Sequence, residues 1–188
     1  RFNEAGIENI LALRGDINPD IPPKTDFRYA SELVTFIKEH GDFGISGACY
    51  PEVHAEAPDM ITDILNLKKK VDAGAQTLVT QLFFENSAFY DFRDKARIAG
   101  INVPIIPGIK PFRKQSQLTV IPKTFKVDIP QELALEALKC TTDKATEALG
   151  VEWCIHQCKE LIEHGVPSIH FYSVGAVESI RQVAKAIY

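Results

Sequence analysis

Short apolar runs alternate with longer amphipathic stretches along most of this 188-residue sequence. The apolar runs have the length of buried strands, and the amphipathic stretches have the spacing of helices that cover one face. This alternation is typical of parallel strands joined by crossover helices, so the sequence predicts an α/β fold. The length and a hydrophobic content of 45% suit a single domain that spans residues 1–188.

The pattern predicts five strands and six helices. We expect the strands at residues 10–13, 43–48, 78–84, 103–106 and 168–171. We expect the helices at residues 29–40, 60–73, 87–99 and 176–187, with two more within residues 130–164. Gly74 and Gly100 should end helices, since glycine accepts the left-handed conformation found there. Residues 86–87 and 141–143 supply N-cap oxygens, and Pro130 suits a first helical turn.

Five β-α units do not close an eight-stranded barrel, and an open doubly wound sheet would usually carry a glycine-rich first turn that this sequence lacks. Residues 2–7 also read as the end of a helix whose beginning is missing. We therefore expect about the last five units of a TIM (β/α)8 barrel. The proline-rich residues 17–26 should form a loop directly after the first strand, on the catalytic face.

Composition excludes several function classes. The net charge is −4 and basic residues are scattered apart from residues 68–70, which argues against nucleic acid as a partner. No apolar run approaches the ~20 residues that a membrane helix needs, and residues 1–4 lack the apolar core of a signal peptide. The four cysteines lack the spacing of a disulfide framework. We expect a soluble cytoplasmic protein with free thiols.

Four segments together resemble the methylenetetrahydrofolate reductase family. They are LALRGD at 11–16, YPEVHAEA at 50–57, TQLFF at 80–84 and IIPGI at 105–109. Their order and spacing match, and residues 66–75 and 170–172 extend the resemblance over nearly the whole chain. On this match the family's fourth to eighth strands are present. The first three strands, with the family's acidic glutamate and part of its flavin site, are absent.

The resemblance implies a flavin-dependent enzyme of one-carbon metabolism. Such an enzyme reduces 5,10-methylenetetrahydrofolate to 5-methyltetrahydrofolate through FAD, with electrons from NADH or NADPH in a ping-pong scheme. The implied partners are the folate, the nicotinamide cofactor or an electron-donating protein, and further copies of the same chain in a homo-oligomer.

Asp16 is the predicted catalytic residue. It follows a buried strand immediately, so its carboxylate should stand at the barrel mouth. There the resemblance implies that it contacts cofactor and substrate and stabilises the cationic iminium form of the folate. The alternative is an aspartate that only shapes a turn after Gly15.

Two glutamines are predicted to bind substrate. Gln81 interrupts an apolar strand, and its neutral amide suits a pterin ring, although a glutamine bonded to its own backbone is the alternative. Gln115 stands where the family commonly carries an aromatic that stacks on either substrate, and Phe112 could replace that aromatic from a shifted position. The sequence departs from the family again at residues 173–176, where a polar asparagine and an arginine are usual.

The residues that match the family's flavin site are Arg14, Gly15, Asp16, Ala48, Tyr50, His54, Asp63 and Lys70. Tyr50 could cover a ring system, Arg14 and Lys70 could meet pyrophosphate charge, and Asp63 could accept from sugar hydroxyls. Seven residues separate Asp63 from Lys70, which places them on one side of a helix. The alternative for these two is a solvated helix face.

Other interpretations stay open. His54 between two glutamates lacks a distant third ligand, and Cys154 with Cys158 lacks further ligands, so we predict no metal site. A non-catalytic barrel that binds a partner would explain the departures from the family. An unrelated lyase or aldolase would need a lysine at a strand end to form a Schiff base, and Lys110 is the candidate.

Overall fold

The computed structural model describes residues 2–15, 20–21 and 26–188. Its strands form one parallel sheet in sequential order. They are β1 (Asn9–Ala12), β2 (Gly44–Cys49), β3 (Thr77–Leu82), β4 (Ile105–Ile109) and β5 (His170–Phe171). Each strand lies beside the next one in sequence and runs in the same direction, and the sheet curls into a half-barrel. This confirms the predicted α/β class and the five parallel strands.

Helices connect the strands. A short 3-10 turn (Asn3–Ala5) precedes α1 (Ala30–His40), α2 (Met60–Asp72), α3 (Asn86–Ile98), α4 (Gln117–Phe125), α5 (Gln131–Lys139), α6 (Asp143–Glu163) and α7 (Val177–Ile187). Six of these helices match predicted ones, and α4 was not predicted. Within the described ranges, no helix is both long and apolar enough to cross a bilayer.

Strand β4 extends further than predicted, because it continues through Pro107 to Ile109. Proline has no N–H for the ladder, and the neighbouring strand adapts to it. The register of β3 and β4 shifts between Val79 and Leu82, opposite this proline. Gly108 N then donates to the Thr80 side-chain oxygen at 2.8 Å. The bulge lets a proline occupy an interior strand of the sheet.

The main core lies between the sheet and helices α3 and α6. Leu78, Ile105 and Ile109 from the strands pack against Phe89 of α3 and Leu161 of α6. A second cluster, at the carboxyl end of β3, joins the segments after β3 and β4 to α4 and α5. A third holds α1 against β1 and β2. The helices of these clusters therefore pack on the convex face of the sheet, and strand side chains form the concave face.

Two of the predicted helix ends are confirmed, and one predicted cap is wrong. Gly74 and Gly100 adopt φ values of 123° and 81° after α2 and α3, and Thr142 accepts from Ala145 N at the start of α6. Asn86 does not cap α3. It is the first helical residue, and its side chain donates instead to Gln157 O and to the Glu160 carboxylate.

Candidate functional site

The predicted site residues gather where β1, β2 and β3 end. Arg14 and Gly15 follow β1, Ala48 lies in β2, and Gln81 lies in β3. The carboxyl ends of parallel strands meet at one edge of the sheet, so these positions share one mouth of the half-barrel. Asp16, the predicted catalytic residue, lies outside the described residues, as do residues 17–19 and 22–25 of the proline-rich loop.

Arg14 forms a forked ion pair across the mouth. Its Nη1 and Nη2 donate to the two carboxylate oxygens of Glu56 at 2.8 and 2.7 Å, and its Nε donates to Gly15 O at 3.1 Å. The guanidinium lowers the pKa of the Glu56 carboxyl. Gly15 itself has a φ of 83°, a conformation that favours glycine, and its Cα faces open space. The pair links the end of β1 to the loop between β2 and α2.

The loop after β2 folds back on helix α2. His54 N donates to the Asp63 carboxylate at 2.9 Å, and His54 Nδ1 accepts from Glu56 N at 3.0 Å. The Tyr50 ring meets the His54 ring edge-on, with centroids 4.4 Å apart. Burial raises the pKa of Asp63, and the bond from His54 opposes that rise. Three predicted cofactor residues therefore form one connected group.

Lys70 reaches from α2 to the end of β2. Its Nζ donates to Ala48 O at 2.6 Å, and its stem occupies the space beside Gly47, where a Cβ would come within 2.7 Å of Lys70 Cδ. Burial lowers the pKa of this ammonium, and the Asp63 carboxylate partly offsets the effect. A solvated helix face is therefore wrong for Asp63 and Lys70, because both side chains are partly buried against the loop and the sheet.

Gln81 bonds to the backbone beside it, which was the alternative interpretation of this residue. Its Oε1 accepts from Leu82 N at 2.9 Å, and its amide nitrogen has no partner within the described part of the chain. This nitrogen sits at the bulge between β3 and β4. The side chain is half-buried, and its two N–H donors are unpaired among the described residues.

Two predictions for the segment after β4 need correction. Phe112 is 1% exposed and packs edge-on against Phe84, so it cannot stack on a ligand. Gln115 Nε2 donates to Ala137 O and Cys140 O, both at 2.7 Å, and so closes the end of α5. A side-chain donor is expected there because the last carbonyls of a helix lack helical partners. The amide nitrogen of Gln115 is therefore engaged at α5, away from a substrate beside Gln81.

Glu52 connects the loop after β2 to the segment between α4 and α5. The sequence did not indicate this contact. Its Oε2 accepts from Asp128 N at 2.5 Å, and its Oε1 is buried without a partner among the described residues. Burial raises the pKa of Glu52 to about 7, with the Asp128 and Glu85 carboxylates adding to the rise and the Asp128 N–H opposing it. Glu52 lies in the family-like segment 50–57, but its partner, Asp128, is 76 residues further along the chain, so the sequence could not indicate this contact.

Tyr172 lies in residues 170–172, which resemble the family, but the sequence assigns no role to it. Its N–H extends the β4–β5 pairing by donating to Ile109 O at 2.9 Å, and its hydroxyl donates to Thr80 O at 2.8 Å. The ring lies over Gly108, where an added Cβ would come within 2.6 Å of it. Gly108 is therefore required by the close approach of two groups, this ring and the Thr80 backbone oxygen, which the Cβ would meet at 2.3 Å.

Comparison with known proteins identifies relatives over the whole chain. A family model described as methylenetetrahydrofolate reductase matches residues 1–188. The 5,10-methylenetetrahydrofolate reductase of Escherichia coli (strain K12) is 43% identical over 174 residues, which cover 92% of this chain and 58% of that protein. The probable methylenetetrahydrofolate reductase (NADPH) of Caenorhabditis elegans is 40% identical, covering 97% of this chain and 28% of that protein. Methylenetetrahydrofolate reductase (NADH) 1 of Arabidopsis thaliana is 39% identical, covering 93% of this chain and 32% of that protein.

A solved structure supports the fold. It is an uncharacterised protein from Clostridium thermocellum, described as binding two copies of 5-methyl-5,6,7,8-tetrahydrofolic acid. It matches with a TM-score of 0.60 at 23% identity, over 83% of this chain and 57% of that one. At this identity the likeness concerns the arrangement of strands and helices. The chain spans 58% of the length of its E. coli relative.

Proposed function

The chain belongs to the methylenetetrahydrofolate reductase family, and from this premise we propose that it forms the C-terminal part of a flavin-dependent reductase acting on 5,10-methylenetetrahydrofolate. Its five strands would be the last units of an eight-stranded barrel in a single flavin-binding domain. The observation that carries the proposal is the joined group of Arg14, Tyr50, His54, Asp63 and Lys70 at the mouth. These residues match the family's flavin site, and in this fold they reach the same edge of the sheet.

The donor set suits a flavin dinucleotide. Arg14 and Lys70 carry positive charge for a pyrophosphate, and the Lys70 ammonium is partly buried with a carbonyl as its bonded partner. Tyr50 offers an aromatic surface, and Gly15 and Ala48 leave room for close approach. Asp63 accepts from backbone through one oxygen and keeps the other for a sugar hydroxyl. When bound, the flavin would accept a hydride from the donor and pass it to the folate.

The folate would lie on the concave face beside Gln81. The amide nitrogen of Gln81 would donate to the pterin, and Asp16 would contact both substrate and flavin and stabilise the cationic form of the folate. The structural neighbour described as binding methyltetrahydrofolate supports a folate site on this architecture. Gln115 remains a proposed substrate residue through its side-chain oxygen only.

The electron donor would be NADH or NADPH. The relatives' names include both, NADPH in the nematode protein and NADH in the plant protein. An electron-donating protein is the second candidate donor. It is favoured by the segment after β4, where Phe112 is buried and Gln115 is bonded to α5, so neither offers a stacking surface to a nicotinamide.

Visible absorption of the purified full-length protein tests the proposal. Flavin bands should bleach anaerobically with NADH or NADPH and return when methylenetetrahydrofolate is added. Bands that bleach only with another reductant would keep the folate chemistry and point to a protein donor. Protein that carries no flavin would exclude the reductase and favour a barrel that binds a partner.

Replacement of Gln81 separates the two half-reactions. Gln81→Leu removes the amide donor while keeping the side-chain size, so it should weaken folate binding about 10- to 100-fold, the loss expected for one buried hydrogen bond to a ligand and the groups it leaves unpaired. Bleaching of the flavin by the nicotinamide should change little. Gln131→Leu, at an exposed position on α5, is the matched control. Equal folate affinities in the two variants would remove Gln81 from the site.

A further inference from the structure

Lys110 is the first residue after β4, and it is 8% exposed. Strand pairing persists up to this point, because Tyr172 N donates to Ile109 O. Ile105 and Ile109 pack into the core against α3 and α6, whereas Gly108 meets the Tyr172 ring on the opposite face. Side chains alternate along a strand. Lys110 therefore starts out on the face of Gly108, which is the concave face, and Gln81 lies near the end of the neighbouring strand β3.

The charges around Lys110 are unbalanced. The two cations that follow it are each paired with a carboxylate of α6, Arg113 with Glu147 at 3.0 Å and Lys114 with Asp143 at 3.4 Å. Lys110 has no hydrogen bond or ion pair with any residue in the described part of the chain. Burial lowers its pKa, and the nearby Arg113 lowers it further. The stem of Lys110 is therefore buried, while its ammonium has no counter-charge among the described residues and stays open to an anion that enters from solvent.

We propose that Lys110 binds an anionic oxygen group of a substrate at the mouth of the half-barrel. This inference rests on the proposed function, which supplies two sources of such a group. One is a carboxylate in the glutamyl part of the folate, and the other is a phosphate of the nicotinamide donor. Lys110 would thereby determine which substrates bind without taking part in hydride transfer.

The test compares Lys110→Met with Lys110→Arg in flavin-loaded full-length protein. Calorimetric titration with 5-methyltetrahydrofolate, and separately with NADH and NADPH, measures binding without turnover. Lys110→Met should weaken the ligand that carries the anion about 10- to 100-fold, the range for a charged hydrogen bond. Lys110→Arg should restore part of the affinity. Lys114→Met, which removes an exposed and already paired cation, should have little effect.

The outcomes separate the two anions. Weaker binding of the folate alone assigns a carboxylate, provided that the pteroate analogue without glutamate binds both proteins equally. Weaker binding of the nicotinamides alone assigns a phosphate. Unchanged affinities for both would overturn the proposal for Lys110, even if the enzyme turns over normally.

Failure of the proposed function would be distinguishable from failure of the Lys110 proposal. Wild-type protein that binds neither the folate nor a nicotinamide would contradict the reductase. The anion site would then be decided by inorganic pyrophosphate, which should bind wild-type protein more tightly than Lys110→Met, since any binding at Arg14 and Lys70 is common to both proteins. Thermal unfolding without ligand provides a folding control, because removing an unpaired buried charge should raise Tm or leave it unchanged.

Discussion

Among single residues, the Arg14–Glu56 pair is the contact that the proposed flavin pyrophosphate would have to change. The Glu56 carboxylate occupies two donors of the guanidinium, and its side chain is 49% exposed. A phosphate would compete with this carboxylate for the same donors. Under the proposed function, Glu56 would therefore compete with the flavin pyrophosphate for Arg14.

Glu56→Gln should tighten flavin binding about two- to fivefold at low salt, the range expected for an exposed ion pair. The reason is that the neutral amide competes less strongly for Arg14. The dissociation constant can be measured by quenching of flavin fluorescence. The gain should shrink as salt screens the charges. Glu132→Gln on α5 is the control, and weaker binding in Glu56→Gln would mean that Glu56 positions Arg14 instead.

Glu52 makes a second prediction, for stability against pH. Its pKa is raised from 4.5 to about 7 in the folded protein. The unfolded chain therefore releases this proton first as pH rises, so the contribution is fully favourable below about pH 4.5 and is lost by about pH 7. The full shift corresponds to roughly 3 kcal/mol, and partial exposure reduces this to about 1–2 kcal/mol.

Glu52→Gln should remove this loss and raise the free energy of unfolding at pH 8 by about 1–2 kcal/mol relative to wild type, with little difference at pH 4.5. Urea titrations at the two pH values measure it. Glu152→Gln, an exposed glutamate on α6, should show no such pH dependence. A destabilised Glu52→Gln at pH 8 would mean that the ionised carboxylate is the favoured form.

Sequence motifs could predict most of this site but not its partners. Arg14, Tyr50, His54 and Lys70 stand in segments that resemble a family, and the structure brings them together. Glu56 could not be predicted as the partner of Arg14, because that contact depends on the pairing of β1 with β2. The sequence could not show that Phe112 is buried or that the amide nitrogen of Gln115 bonds to the end of α5, because both contacts depend on how α5 and α6 pack on the segment after β4.

Among the elements, the strands were predictable and their ends less so. Apolar runs located β1 to β3 within two residues, because buried strands need continuous apolar sequence. The predicted strand stops at residue 106, directly before Pro107, and the bulge in β3 explains why β4 continues past this proline. Pro122 concealed α4, since proline inside a helix is unfavourable. That helix ends at Phe125, and Lys126, the residue that follows it, adopts the left-handed conformation with a φ of 57°.

Helix α6 contacts the segment after β4 at Gly150. This contact favours glycine at a helical position where alanine is ordinarily the more stable residue. A Cβ at Gly150 would come within 1.7 Å of Phe112 O, which is backbone and cannot move aside alone. Gly150→Ala should lower the free energy of unfolding by about 1–3 kcal/mol, as overpacking does, although alanine favours helices. Ala148→Gly, at an exposed position of α6, should cost about 1 kcal/mol by propensity alone. Denaturant unfolding of both variants checks this, and a stabilised Gly150→Ala would show that α6 can shift.

At the scale of the whole molecule, the half-barrel leaves its first strand on the outside. In the described part of the chain β1 pairs on one side only, with β2. Leu11 and Leu13 are 45% and 53% exposed. They line an apolar groove of about 430 Å³ together with residues of α1. An open strand edge beside apolar side chains is prone to pairing with another chain.

The isolated 188-residue polypeptide should therefore self-associate at micromolar concentration, whereas a protein with a closed barrel should not do so through this edge. Sedimentation velocity over a concentration series measures the association. The double variant Leu11→Lys, Leu13→Lys places charges beside the open edge and should shift the polypeptide toward monomer. Leu135→Lys, Leu138→Lys adds the same charge to exposed positions of α5 and is the control. If both variants associated equally, the contact would lie elsewhere, and if the wild-type polypeptide stayed monomeric, the half-barrel would be self-sufficient as it stands.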